Sequence, residues 1–112
     1  TDIIIAVDIQ SGVLDKYGYI DYWKVIDKHP DTDILFENKR IPNFNKCLSI
    51  ALELQKRMPF VRCIGWDMVI DKNDEVKIME WNGSHNDIKF CEAKQGPCFK
   101  DLGWENLWRK DK

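Results

Sequence analysis

The chain has 112 residues, 44% of them hydrophobic and 32% charged, with a formal net charge of −2. That length holds one domain with a modest core, and the near-neutral balance leaves no electrostatic footprint for nucleic acid. No apolar run approaches the roughly 20 residues of a membrane span, and no basic segment precedes the opening apolar run as a signal peptide would require.

In chain order, residues 3 to 9 read as a buried strand, Ser11-Gly12 as a turn, and Val13-Leu14 as the start of a return strand. Residues 17 to 40 read as irregular, with Tyr17, Tyr19, Tyr22 and Trp23 scattered among charges. Aromatics interleaved with Lys suggest single-strand stacking, but the neighbouring Asp15, Asp21 and Asp27 oppose it, and packing under a loop is the stronger reading. His29, before Pro30, reads as structural.

The clearest element is a helix over about 44 to 58. Asn43 is its expected N-cap, worth about 1 kcal/mol over Ala, and Pro59 ends it. Phe44, Leu48, Ala51, Leu52 and Met58 recur at helical spacing. That stripe is expected to cover the apolar face of the hairpin that follows.

The hairpin carries the chemistry. Residues 61 to 70 and the run Val76, Ile78, Met79, Trp81 are apolar and β-branched, and DKNDE at 71 to 75 has turn composition. A two-residue turn at Asn73-Asp74, with Lys72 facing Glu75, places Asp67 directly opposite Glu80. Opposed residues share a face, with Cβ atoms about 5 Å apart. Asn82 lies on that face too, opposite Gly65. The other face then carries Ile64, Trp66, Met68, Ile70, Met79 and Trp81. Two carboxylates and an amide oxygen form a hard oxygen cluster suited to Mg²⁺, which commonly accompanies phosphates. The plainer reading is a solvated hairpin face. Against it, like charges directly opposite destabilise a strand pair unless a cation offsets them.

Beyond Gly83, residues 85 to 95 are expected to form a short helix. His85, Asn86 and Asp87 either cap that helix, or add ligands or contact an acceptor, with capping favoured. Phe99, Leu102, Trp104 and Trp108 are expected to dock on the core or on another lobe. Cys47, Cys63, Cys91 and Cys98 lack the paired spacing of a zinc site. They read as reduced thiols of a cytoplasmic protein.

The order Asp, then Glu-x-Asn, on a late hairpin resembles the metal-binding end of ATP-grasp enzymes. GWDMVIDKNDEVKIMEWNGS, HPDT at 29 to 32 and IPNFNKCLSIALELQKRMP at 41 to 59 are similar to the sugar-transfer associated ATP-grasp group. The resemblance covers roughly residues 1 to 90, with 91 to 112 as a tail, in a single domain. It implies an α+β fold, an antiparallel sheet of hairpins against one main helix, like the C-terminal lobe of ATP-grasp enzymes. It also implies that Asp67, Glu80 and Asn82 ligate one or two Mg²⁺ ions on ATP, that Met79 lines the adenine pocket, and that Gly83 and Ser84 lie near an unidentified acceptor. The expected function is the Mg-ATP-binding part of a ligase-like enzyme in polysaccharide or sugar-conjugate biosynthesis. Many such ligases carry an Arg two residues before the Asp, where this chain has Gly65. No glycine-rich phosphate loop or nucleotide-binding lysine pair is identifiable, so an N-terminal lobe is an expected partner and little turnover is expected from this chain alone. The rival readings are a non-catalytic interaction module or degenerate lobe, and a metal-dependent nuclease. The nuclease is disfavoured because Asn82 stands where that class usually has Lys.

Overall fold

The computed structural model describes residues 2–84 and 86–109. The chain opens with β1 (Ile4–Val7), β2 (Leu14–Ile20) and β3 (Lys24–Ile26), an antiparallel sheet in that order. The β1–β2 connection closes through Asp8 N–H to Val13 O at 2.9 Å and Gly12 N–H to Asp8 O at 2.8 Å. Gly12 takes φ +74°, and a Cβ there would lie 2.8 Å from Phe44 Cβ. Glycine alone meets both demands.

The expectation of irregular chain from 17 to 40 is corrected here. Residues 17 to 20 complete β2, and 24 to 26 form β3. Asp21, Tyr22 and Trp23 make the connection with φ of 31°, 43° and 73°, a left-handed run without glycine. Residues 27 to 40 then fold back over the sheet. Lys28 bridges Leu35, Val13 bridges Arg40, and Leu14 N–H donates to Lys39 O at 2.8 Å. This return delivers Phe36 to the sheet, where it is 6% exposed; a Cβ at Gly18 would lie 3.1 Å from its ring. His29 accepts the Asp31 N–H at Nδ1 within the same return, a structural role.

α1 spans Phe44–Arg57, with Lys56 and Arg57 in its last turn, where cations favour the helix dipole. Asn43 stands at the N-cap position but makes no side-chain cap; it sits at φ 51° and its Nδ2 donates to Asp74 O in the hairpin turn. The predicted stripe also shifts. Phe44, Cys47, Leu48, Ala51, Leu54 and Met58 are half-buried, whereas Leu52 is 63% exposed.

β4 (Gly65–Ile70) and β5 (Val76–Asn82) form a second, two-stranded antiparallel sheet. The single sheet of hairpins expected from sequence is therefore two sheets. α1 meets the hairpin where Trp66 Nε1–H donates to Gln55 Oε1 at 3.4 Å, and Gln55 Nε2 donates to Val61 O at 2.6 Å. α2 (Lys89–Gln95) lies against β1. Gln95 Nε2 donates to Val7 O at 2.8 Å, and Lys94 Nζ donates to the Tyr19 hydroxyl at 2.6 Å. The Tyr19 bond raises the Lys94 pKa, and the Asp15 carboxylate adds to the effect. Tyr19, Trp23 and Phe90 pack as a trio, Trp23 stacked on Phe90 at 5.7 Å.

Packing elsewhere is thin. Among the described residues only Ala6 and Phe36 are buried hydrophobics. The radius of gyration is 16.5 Å, against about 13 Å for a compact domain of this size. The accessible surface is 9404 Å², against about 6,500 Å² for a compact chain of this mass. Phe99 stacks on Trp104 at 4.9 Å, but Leu102, Trp104, Leu107 and Trp108 all stay exposed. Among the described residues these tail side chains are not covered by the core, which leaves the other expectation, docking on another lobe. No helix among the described residues is long and apolar enough to cross a membrane.

Candidate functional site

The hairpin begins with Gly65 opposite Asn82, Trp66 opposite Trp81 and Asp67 opposite Glu80. This is the pairing expected from sequence, reached by a different route. The turn is a three-residue loop, Lys72 to Asp74, closed by Asp71 N–H to Glu75 O and Asp74 N–H to Asp71 O, both 2.9 Å. Asp74 adopts φ 60°, as the last residue of such a loop does. The Asp71 carboxylate accepts from Asn73 N–H at 2.8 Å and Glu75 N–H at 3.0 Å. Those bonds, with Glu75 the larger influence, hold its pKa below the ordinary value.

The longer loop shifts the register by one, so Met68 faces Ile78 and Ile70 faces Val76. A bulge between the Asp67 and Met68 pairs restores the count. Met79 is the inserted residue, without a partner of its own, and is 67% exposed. Its expected place on the apolar face is thus corrected, and Val76 and Ile78 occupy that face with Trp66, Met68 and Ile70. Trp66 and Trp81 meet at 6.5 Å between ring centroids.

On the other face Asp67, Glu80 and Asn82 are all exposed. Among the described residues, none of the three side chains has a hydrogen bond or ion pair. Asp2, Asp67, Met79 and Glu80 line one open depression. No group of three His, Cys, Asp or Glu side chains is gathered closely enough to hold a metal among the described residues. A cation here would take two carboxylates and the Asn82 amide oxygen. That donor set suits a hard ion that keeps part of its water shell. Two unpartnered, directly opposed carboxylates are also what a cation would relieve.

Gly83 follows with close contacts: a Cβ there would lie 2.9 Å from the Trp81 ring and 3.2 Å from Val61 Cγ1. Ser84 is exposed. His85, a candidate for capping or ligand contact, lies outside the described residues. Asn86 does not cap α2. Its Oδ1 accepts the Gly65 N–H at 2.8 Å and its Nδ2 donates to Cys63 O at 2.8 Å. Asp87 is the residue that serves the helix start, accepting Lys89 N–H at 3.0 Å. In sequence Asn86 and Asp87 are equivalent candidates; the signal that separates them is Gly65, whose missing side chain opens the space Asn86 fills. Cys47, Cys63, Cys91 and Cys98 are all unbridged.

A family model described as sugar-transfer associated ATP-grasp matches residues 2–102. No curated protein and no solved structure matches the chain.

Proposed function

Because the chain belongs to the sugar-transfer associated ATP-grasp family, we propose that it supplies the metal- and phosphate-binding part of an ATP-dependent, ligase-like reaction. The observation that carries this reading is the Asp67–Glu80 pair, opposed across the hairpin with Asn82 on the same face. In this reading Asp67 and Glu80 present carboxylate oxygens, and Asn82 an amide oxygen, to one or two Mg²⁺ ions. Mg²⁺ bound with ATP would offset phosphate charge and orient the transferred group. Met79, at the bulge beside Glu80, offers an exposed apolar side chain to the adenine. Gly83 and Ser84 follow directly after Asn82, where an acceptor would approach. A polysaccharide or sugar-conjugate precursor is the acceptor class consistent with the family's description.

We further take the chain to act as one domain corresponding to a C-terminal lobe, with an N-terminal lobe as partner. The sparse burial supports this: a chain exposing about 2,900 Å² beyond the compact expectation has surface to spare for a second lobe. The same observation favours one alternative, a non-catalytic interaction module that keeps the fold. Calorimetry with Mg-ATP separates them. The ligase-like reading expects Mg²⁺-dependent nucleotide binding that Asp67→Asn and Glu80→Gln each abolish. Binding that is indifferent to both substitutions, or to Mg²⁺, would reject the assignment of these residues. Rapid ATP turnover by the isolated chain would reject the need for a second lobe.

A further inference from the structure

We infer that Asn86 is a positioning residue for the oxygen cluster, clamping the start of β4 and the chain after Asn82 to each other; this rests on the metal-site reading above. The Asn86 carboxamide spends both ends on backbone just ahead of Asp67. Oδ1 accepts from Gly65 N–H and Nδ2 donates to Cys63 O, each at 2.8 Å. It thereby imitates a ladder partner for a strand whose only strand partner among the described residues is β5. Gly65 is held twice, by Asn82 as its strand partner and by the Asn86 side chain. Asn86 is thus tied to Gly65, the strand partner of Asn82, the last residue of β5.

Gly65 is also what permits the clamp. A Cβ built there would lie 2.7 Å from Asn86 Oδ1, too close for any real contact, and 3.8 Å from Asn82 Cβ. Alternate residues of a strand share a face, so Gly65 and Asp67 are successive members of the face that carries the cluster. A shift at Gly65 moves Asn82 directly and Asp67 through the strand. Groups that fix metal-ligating side chains from behind commonly govern metal affinity by about 10- to 100-fold. Capping α2 does not account for Asn86, since Asp87 makes the contact at the helix start.

The test uses Mn²⁺ alone as the probe, titrated into the full chain and followed by calorimetry. Asn86→Ala and Gly65→Ala each break the clamp from one side, and each is expected to weaken Mn²⁺ binding by about 10-fold or more. The double variant is expected to lose no more than the worse single one, because both remove the same contact. Gly12→Ala serves as a control: it strains the β1–β2 connection, which does not line the Asp67–Glu80 depression, and is expected to lower thermal stability without changing Mn²⁺ affinity. Wild-type affinity in Asn86→Ala, with Asp67→Asn still abolishing binding, would overturn the positioning role and leave the metal reading standing. If wild type binds no Mn²⁺, or Asp67→Asn binds as wild type does, the metal reading falls. The clamp is then judged by backbone amide exchange in Asn86→Ala. Exchange accelerated about 10-fold along the β4–β5 ladder, with the β1–β2 ladder unchanged, supports it; unchanged exchange at both overturns it.

Discussion

Asp67→Asn should change stability with opposite signs depending on magnesium. Asp67 and Glu80 are directly opposed on an exposed strand face, with Cβ atoms about 5 Å apart in such a pair. Two like charges so placed and facing water repel by about 0.5 kcal/mol. Without a divalent ion, the substitution removes that repulsion and keeps the shape of the side chain. The variant should then be the more stable protein by about 0.5 kcal/mol, a rise of about 2–4 °C in Tm for a domain of this size. With Mg²⁺ at about a hundredfold over its dissociation constant, the wild type should gain about 2.7 kcal/mol by linkage and the variant almost none, so the ranking reverses. Thermal unfolding followed by circular dichroism, in chelator and then in Mg²⁺, reads both arms. A variant less stable than wild type in chelator, or Mg²⁺ stabilising both proteins equally, would rule out a cation held between Asp67 and Glu80.

Gly12→Ala should destabilise by more than about 1 kcal/mol in denaturant unfolding, because the position combines φ +74° with a Cβ placed 2.8 Å from Phe44. Asp71 sets an acid limb: its folded pKa lies below the ordinary 3.8, so its contribution is full above that value and is lost as pH falls through it toward the folded value. Asp71→Asn should therefore flatten the decline in stability below about pH 4, measured by urea unfolding across pH; an unchanged acid limb would remove Asp71 as its source. Thiol titration under native conditions should find Cys63 and Cys91 reacting first, since both are exposed. Cys98 should lag because desolvation, and then the nearby Glu92 carboxylate, raise its pKa. Cys47, half-buried in α1, should react late, and all four should react once the chain is unfolded.

The Asp67–Glu80 pairing was legible because alternation along both strands leaves few registers that keep Trp66, Met68 and Ile70 on one face. Its details were not. The left-handed conformation of Asp74 adds a loop residue, and the bulge at Met79 takes it back. Composition carries neither event, and they cancel at Asp67. β3 was hidden for a similar reason. The connection Asp21-Tyr22-Trp23 turns through three positive φ values without a glycine to announce it, and the aromatic–charge mixture lacks a period. Asn43 had the composition of a cap, but a tertiary partner, the Asp74 carbonyl, took its side chain. Leu52 matched the helical spacing of the stripe, yet Leu54 turns inward with Phe44, Leu48 and Ala51. For Asn43 a contact from elsewhere in the fold overrode the local option.

Paramagnetic broadening of the amide resonances by substoichiometric Mn²⁺ most directly locates any bound ion. Signals of Asp67, Glu80 and Asn82 should broaden first, with their immediate strand neighbours next and the Asp71–Glu75 turn spared. Broadening centred on that turn or on the Asp8–Ser11 loop, or none near Asp67 and Glu80, would contradict it.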